Sequence, residues 1–208
     1  MEGLNAETIY WIILAVPTIL IASTVHEYAH GWAAYKLGDP TAKAAGRLTL
    51  NPLKHIDPIG ALCMILFRFG WSKPVPINEY NFERREVDTA LTALAGPVSN
   101  ILLALLTALV NLIFKPDPSS IFAIILMVFA SINISLAVFN LLPIPPLDGH
   151  KIVRALLPKK LRYYWEKLEK FSIIIILIFI LPISPLSAWT STFLSGTITK
   201  LLSLLGFL

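Results

Sequence analysis

Residues 9–36 read IYWIILAVPTILIASTVHEYAHGWAAYK, and this stretch decides what kind of fold the chain can have. Wound as a helix at about 1.5 Å per residue, it is long enough to cross roughly 30 Å of hydrocarbon. Yet its carboxyl half holds His26, Glu27 and His30, three ionisable groups within five residues. Each costs about 2.5–3.5 kcal/mol at the centre of a spanning helix, so their presence needs a reason. The pattern H-E-x-x-H supplies one: residues four apart stack on one helical face, where two imidazoles can share a zinc ion. Glu27 lies beside them, placed to take a proton from metal-activated water. The plainer alternative is a frayed helix end whose histidines cap carbonyls, and it stays open at this point.

The rest of the sequence agrees with a hydrocarbon solvent. Of 208 residues, 56% are hydrophobic and 14% charged, and the mean hydropathy is +0.71, well outside the range of a soluble domain. The length predicts one integral-membrane domain over residues 1–208. A net charge of +4 raises the question of nucleic acid, but Lys and Arg lie between apolar blocks and form no patch with interleaved aromatics, so no nucleic-acid partner is expected. Cys63, the single cysteine, sits in the run GALCMILF and reads as packing. The amino terminus carries Glu2 and Glu7 but no Lys or Arg before the first apolar block, so that block is expected to remain in the mature protein.

Outward from residues 9–36, further spans are predicted at about 89–114, 121–142 and 171–181. Residues 60–71 are too short to cross and read as re-entrant, while 187–208 reads as a span or an interfacial tail. Together these predict an all-α polytopic membrane protein with four or more transmembrane helices. That arrangement puts fifteen of the seventeen Lys and Arg on one side, counting Lys36 with that side and leaving only Lys115 and Lys200 elsewhere. The positive-inside rule makes that side cytoplasmic and the amino terminus external in a multi-pass protein of the cell membrane.

A catalytic zinc site keeps three protein ligands and one open position, so a third ligand is needed. Asp148 is the best candidate: it follows the 121–142 block at the depth where the HEYAH end of the first helix should lie. Gly149 beside it permits close backbone approach, and Pro143, Pro145 and Pro146 keep the preceding chain out of helix. An ordinary turn aspartate is the alternative. His150 is a candidate for supporting the site without binding metal, and His55 lies in a polar loop.

HEYAH, followed far downstream by Asn140-Leu-Leu-Pro-Ile-Pro-Pro-Leu-Asp148-Gly149, resembles the site-2 protease family of intramembrane zinc metalloproteases. Ala95-Gly96-Pro97-Val98-Ser99-Asn100 resembles that family's glycine-and-asparagine motif, in the same order along the chain. The resemblance covers roughly residues 9–152. It implies that His26, His30 and Asp148 bind one Zn²⁺, that Glu27 is the catalytic base, and that Asn100 and Asn140 hold the substrate backbone. It also implies a small membrane-associated β-hairpin region formed by residues 46–51 and 73–78. With no room for a PDZ or nucleotide-sensing domain, the chain reads as a minimal member.

The expected function is therefore hydrolysis of peptide bonds in membrane-spanning protein substrates, with Glu27 as general base. A zinc-binding membrane transporter or sensor would also place His and Asp inside spans, and a catalytically inactive scaffold of the same fold would keep them. Neither needs a base at position 27.

Overall fold

The structure, a computed structural model, describes residues 6–67, 70–180 and 185–208. Its framework is three long helices: α1 (Ala6–Lys36), α4 (Arg85–Phe114) and α5 (Ile121–Asn140). The other helices are α2 (Thr41–Ala44), α3 (Pro58–Phe67), α6 (Asp148–Leu156), α7 (Lys159–Lys167), α8 (Ser172–Ile180) and α9 (Pro185–Leu204), the last as long as α5 but less apolar. Helices α1, α4 and α5 pack on one another, α6 on α4, and α9 on α5 and α8.

Small residues make the close contacts: Ala22 and Ala130 are fully buried, and Ala15, Ala93, Ala104 and Ala137 nearly so. Large apolar side chains point the other way. On α4, Leu102, Leu105, Leu106, Leu109, Leu112 and Ile113 are all about half exposed or more. In water, leaving six such side chains half unburied would forfeit on the order of 5–10 kcal/mol, as much as the whole stability of many domains. Small residues inside and large ones outside is the packing of helices solvated by lipid.

Residues Ile12–Lys36, Arg85–Phe114 and Ile121–Asn140 are the described helices long and apolar enough to cross a membrane. They correspond to three of the four predicted spans. The fourth, at 171–181, becomes α8, whose nine residues cover only about 14 Å; its predicted end at residue 181 lies outside the described residues. Residues 187–208 fall largely on α9, a helix of 20 residues rich in Ser and Thr. Of the predicted re-entrant residues 60–71, those up to Phe67 fall on the ten-residue α3, while 68 and 69 lie outside the described residues. On either side of α3, Ile56 and Ser72 form an isolated antiparallel bridge, and Lys73 N–H donates to the His55 carbonyl at 2.8 Å.

The β-hairpin expected from residues 46–51 and 73–78 is corrected: among the described residues that bridge is the isolated pairing, and no sheet forms. Pro74 and Pro76 have no N–H to donate. Two of the other donors are committed elsewhere, Val75 N–H to Glu27 and Asn78 N–H to Asp39. What joins the two segments is a side chain, Arg47 Nη2 donating to the Lys73 carbonyl at 2.8 Å.

Asp39, fully buried just past α1, holds this region in place. Its carboxylate accepts from the Thr41 hydroxyl, from Thr41 N–H at 3.1 Å, from Asn78 N–H at 2.7 Å and from Asn81 Nδ2 at 2.7 Å. Burial pushes the carboxyl pKa up, but the bonds from Thr41, Asn78 and Asn81 outweigh it and hold it below the ordinary 3.8. A depressed folded-state pKa contributes stability that is complete above the unfolded value and is lost as pH falls through the folded one. Acidification below about pH 4 is therefore expected to free the 78–81 turn. Hydrogen exchange at the Asn78 amide, corrected for intrinsic rate, should show protection falling with pH, and Asp39→Asn should remove that dependence.

Candidate metal centre

His26 and His30 project from the same face of α1, their rings edge-on with centroids 4.5 Å apart. Helix α6 brings Asp148 to them as its first residue, where the exposed N–H groups of a helix start favour a carboxylate. Residues 141–147 set that position. Leu142, Ile144 and Leu147 are buried together against Phe139, Ile175, Ile176, Phe179 and Leu194. A Cβ at Gly149 would lie 2.3 Å from the Leu141 carbonyl oxygen and 2.4 Å from that of Leu142, so this approach to Asp148 requires glycine. Arg154, buried farther along α6, ties the helix down by ion pairs to Glu79 at 2.7 Å and to Glu86 at 3.4 Å.

The three groups meet closely. Nε2 of His26 lies 3.0 Å from Nε2 of His30 and 3.1 Å from Asp148 Oδ2, and His30 Nε2 lies 3.3 Å from the same oxygen. All three residues are buried. Ligands about 2.0–2.1 Å from a tetrahedral ion are separated by about 3.3 Å, so the triangle has the size of one face of such a site.

Proton placement makes the same point. His26 Nδ1 lies 2.6 Å from Asn100 Oδ1, and His30 Nδ1 lies 2.7 Å from the Thr92 carbonyl. Both partners accept, so in the neutral imidazoles both Nδ1 atoms carry the hydrogen and both Nε2 atoms present lone pairs. Two lone pairs and a carboxylate converging in a buried place repel unless a cation lies among them. The donor set fits zinc, with the outer ring nitrogens anchored as metal-binding histidines usually are.

Glu27 stands next to the triangle, buried, and is held by the chain after α3. Its Oε1 accepts from the Ser72 hydroxyl at 3.0 Å and its Oε2 from Val75 N–H at 2.9 Å. A cavity of about 1110 Å³ opens onto Glu27, both histidines and Asp148, and is lined farther along by apolar side chains including Leu20, Ile132, Leu136 and Phe139.

The two asparagines singled out in the sequence have different settings. Asn140 lines the cavity, its Nδ2 donating to the Leu136 carbonyl at 3.0 Å and its Oδ1 left over. Asn100 is fully buried and turned to protein on both sides of its amide: Oδ1 faces His26, while Nδ2 donates to the Ala22 carbonyl at 3.1 Å and to Asn133 Oδ1 at 2.9 Å. His150 is buried and stacked on Trp165, with centroids 5.0 Å apart, and is not part of the triangle. His55 Nε2 meets the Thr49 carbonyl at 2.8 Å.

Sequence reasoning missed three contributors. Gly96, quoted in the sequence only as part of a motif, lets α4 come against the imidazoles; its spacing to Asn100 was the available signal. Asn133 was an amide in an apolar block, which is expensive without a partner. Ser72 had no signal at all, because its partner Glu27 is 45 residues away.

Comparison with known proteins bears on the family of the chain. A model of Peptidase family M50 matches residues 117–183, which include α5, the 141–147 connection and Asp148. The chain is 36% identical over 182 residues to YwhC of Bacillus subtilis, named as a candidate zinc metalloprotease, spanning 84% of this chain and 83% of that protein. It is 31% identical over 144 residues to Rip2 of Mycolicibacterium smegmatis, which carries the same description, spanning 66% of this chain and 55% of that protein. To MJ0611 of Methanocaldococcus jannaschii, again so described, it is 35% identical over 96 residues, which is 46% of this chain and 49% of that protein. No solved structure matches the chain.

Proposed function

The chain belongs to peptidase family M50, the site-2 protease family of membrane zinc metalloproteases, and from that premise we propose that it cleaves membrane-spanning proteins within or at the edge of the bilayer. His26, His30 and Asp148 hold one zinc ion and Glu27 is the general base. The observation that carries this reading is the meeting of two α1 imidazoles with an α6 carboxylate, 122 residues apart in sequence, beside a second carboxylate that is free of that triangle.

Bound zinc supplies Lewis acidity, bringing the pKa of water toward about 7 and polarising a carbonyl. The Glu27 carboxylate accepts the proton of the attacking water and returns it to the leaving amine, a shuttle that needs one base in a fixed place. Ser72 and Val75 fix that place by occupying one lone pair on each oxygen. Asn100 and the Thr92 carbonyl keep the histidines in the tautomer that turns Nε2 inward. Asn140, with its free Oδ1 on the cavity wall, is the group suited to accept a substrate N–H once the substrate helix has unwound. The apolar remainder of the cavity suits side chains that arrive from lipid. In this reading the loops carrying fifteen of the seventeen basic residues face the cytoplasm, and the amino terminus is outside.

Metal analysis of purified protein tests the assignment. The parent should carry about one zinc per chain, and His26→Ala and Asp148→Ala should each carry almost none, because a three-ligand site does not survive loss of a ligand. Retention of stoichiometric zinc by Asp148→Ala would remove that residue from the site.

A further inference from the structure

We propose that Asn133, in the middle of α5, is a positioning residue for the metal centre, acting on His26 through Asn100. This rests on the zinc reading above and extends it to a third helix. Asn133 is fully buried, and its hydrogen bonds run to Asn100 and Phe129, to none of the three candidate ligands. Its Nδ2 donates to the Phe129 carbonyl at 2.9 Å, so its Oδ1 must point the other way, where Asn100 Nδ2 donates to it at 2.9 Å.

The chain of polarity then runs in one direction. A carbonyl on α5 fixes the Asn133 amide, and Asn133 takes one of the two hydrogens on Asn100 Nδ2. The Ala22 carbonyl on α1 takes the other. With both hydrogens assigned, Asn100 Oδ1 can only face His26 Nδ1, 2.6 Å away, and His26 must carry its hydrogen there. Its Nε2 is left with a lone pair directed at His30 and Asp148.

The two acceptors on Asn100 are not equivalent. The Ala22 carbonyl belongs to the helix that carries His26 and moves with it, so it cannot by itself fix the amide plane relative to α5. Asn133 adds the reference from outside α1. Without it, one Asn100 N–H is orphaned in an apolar setting, and the amide is free to turn about its bond to Ala22 in search of another partner. His26 Nδ1 then loses a well-aligned acceptor. Partners of this kind, one bond removed from a metal ligand, typically contribute about 10–100-fold in metal affinity.

The test uses the full-length protein in detergent or reconstituted vesicles, with zinc affinity measured by chelator competition and Co²⁺ absorption reporting coordination geometry. Asn133→Leu removes the acceptor. It should weaken zinc binding by about 10–100-fold and alter the Co²⁺ spectrum while the helical content is kept. Asn133→Asp restores an oxygen that accepts from Asn100, and it should return both the affinity and the spectrum toward those of the parent. A purely structural role predicts something else: Leu would lower the thermal stability of the metal-free protein, with affinity and spectrum unchanged. That result overturns the proposal, as does equal weakening by Leu and Asp. If the parent itself bound no zinc, the reading of the centre would fail first and this inference with it.

Discussion

Glu27→Gln is expected to slow peptide-bond cleavage by about 10²–10⁴-fold while leaving the zinc content of the protein unchanged. The substitution is nearly isosteric, and both existing contacts have a counterpart. The Gln carbonyl can accept from Val75 N–H as Glu27 Oε2 does, and its amide can donate to the Ser72 oxygen, which now donates to Oε1. Nothing in the metal triangle involves Glu27, whose oxygens are engaged by residues 72 and 75. What the variant lacks is a site for the water proton. Cleavage of a membrane-spanning reporter by reconstituted protein, with zinc measured in the same samples, separates the two effects. Cleavage at the parental rate would remove Glu27 from the base role and return weight to a binding or transport function.

Gly96→Ala should abolish tight zinc binding although none of the three ligand residues is changed. A Cβ at position 96 would lie 2.4 Å from His30 Nε2 and 2.6 Å from both Nε2 and Cε1 of His26. Contacts that close do not occur between non-bonded atoms, so something must yield. Each ring is held from behind, His26 by Asn100 and His30 by the Thr92 carbonyl. Thr92 and Asn100 are on α4, the same helix as Gly96, so backing α4 away relieves the clash only by pulling on both anchors. Overpacking of this kind costs about 1–3 kcal/mol, which leaves a helical protein. The ligand nitrogens are displaced, however, and zinc affinity is expected to fall about 100-fold or more, beyond the range seen for lost supporting hydrogen bonds. Chelator competition alongside circular dichroism checks both halves. Parental affinity in Gly96→Ala would mean that α4 does not approach the histidines as described.

How much of this the sequence disclosed depended on how local each feature is. The H-E-x-x-H pair needs only one helix, and an apolar run from 9 to 36 guarantees one, so the facing of His26 and His30 could be read directly. Asp148 was legible by a depth argument, since the ends of two spans on the same side of a bilayer must lie at similar height. The three long helices were legible for the same reason, being limited by the thickness of hydrocarbon. Residues 73–78 were not: the resemblance implied a hairpin, but whether such chain pairs depends on a partner strand, and the N–H groups of Val75 and Asn78 turned to Glu27 and Asp39. Asn100 and Asn133 mark the other boundary. That an amide inside an apolar helix needs a partner follows from its cost; which partner, and in which orientation, depends on the rotation of three helices about their axes, and no periodicity in this chain encodes that.

The distance in sequence between the two halves of the metal centre also bears on how the protein is made. During synthesis the histidines leave the ribosome well before the aspartate, and two further long helices, α4 and α5, are made in the interval. On the proposed assignment, a nascent or truncated chain ending between residues 30 and 148 has both imidazoles and Glu27 but no way to complete the ion's coordination. In the proposed reading, hydrolytic competence thereby waits until more than two thirds of the polypeptide has been made.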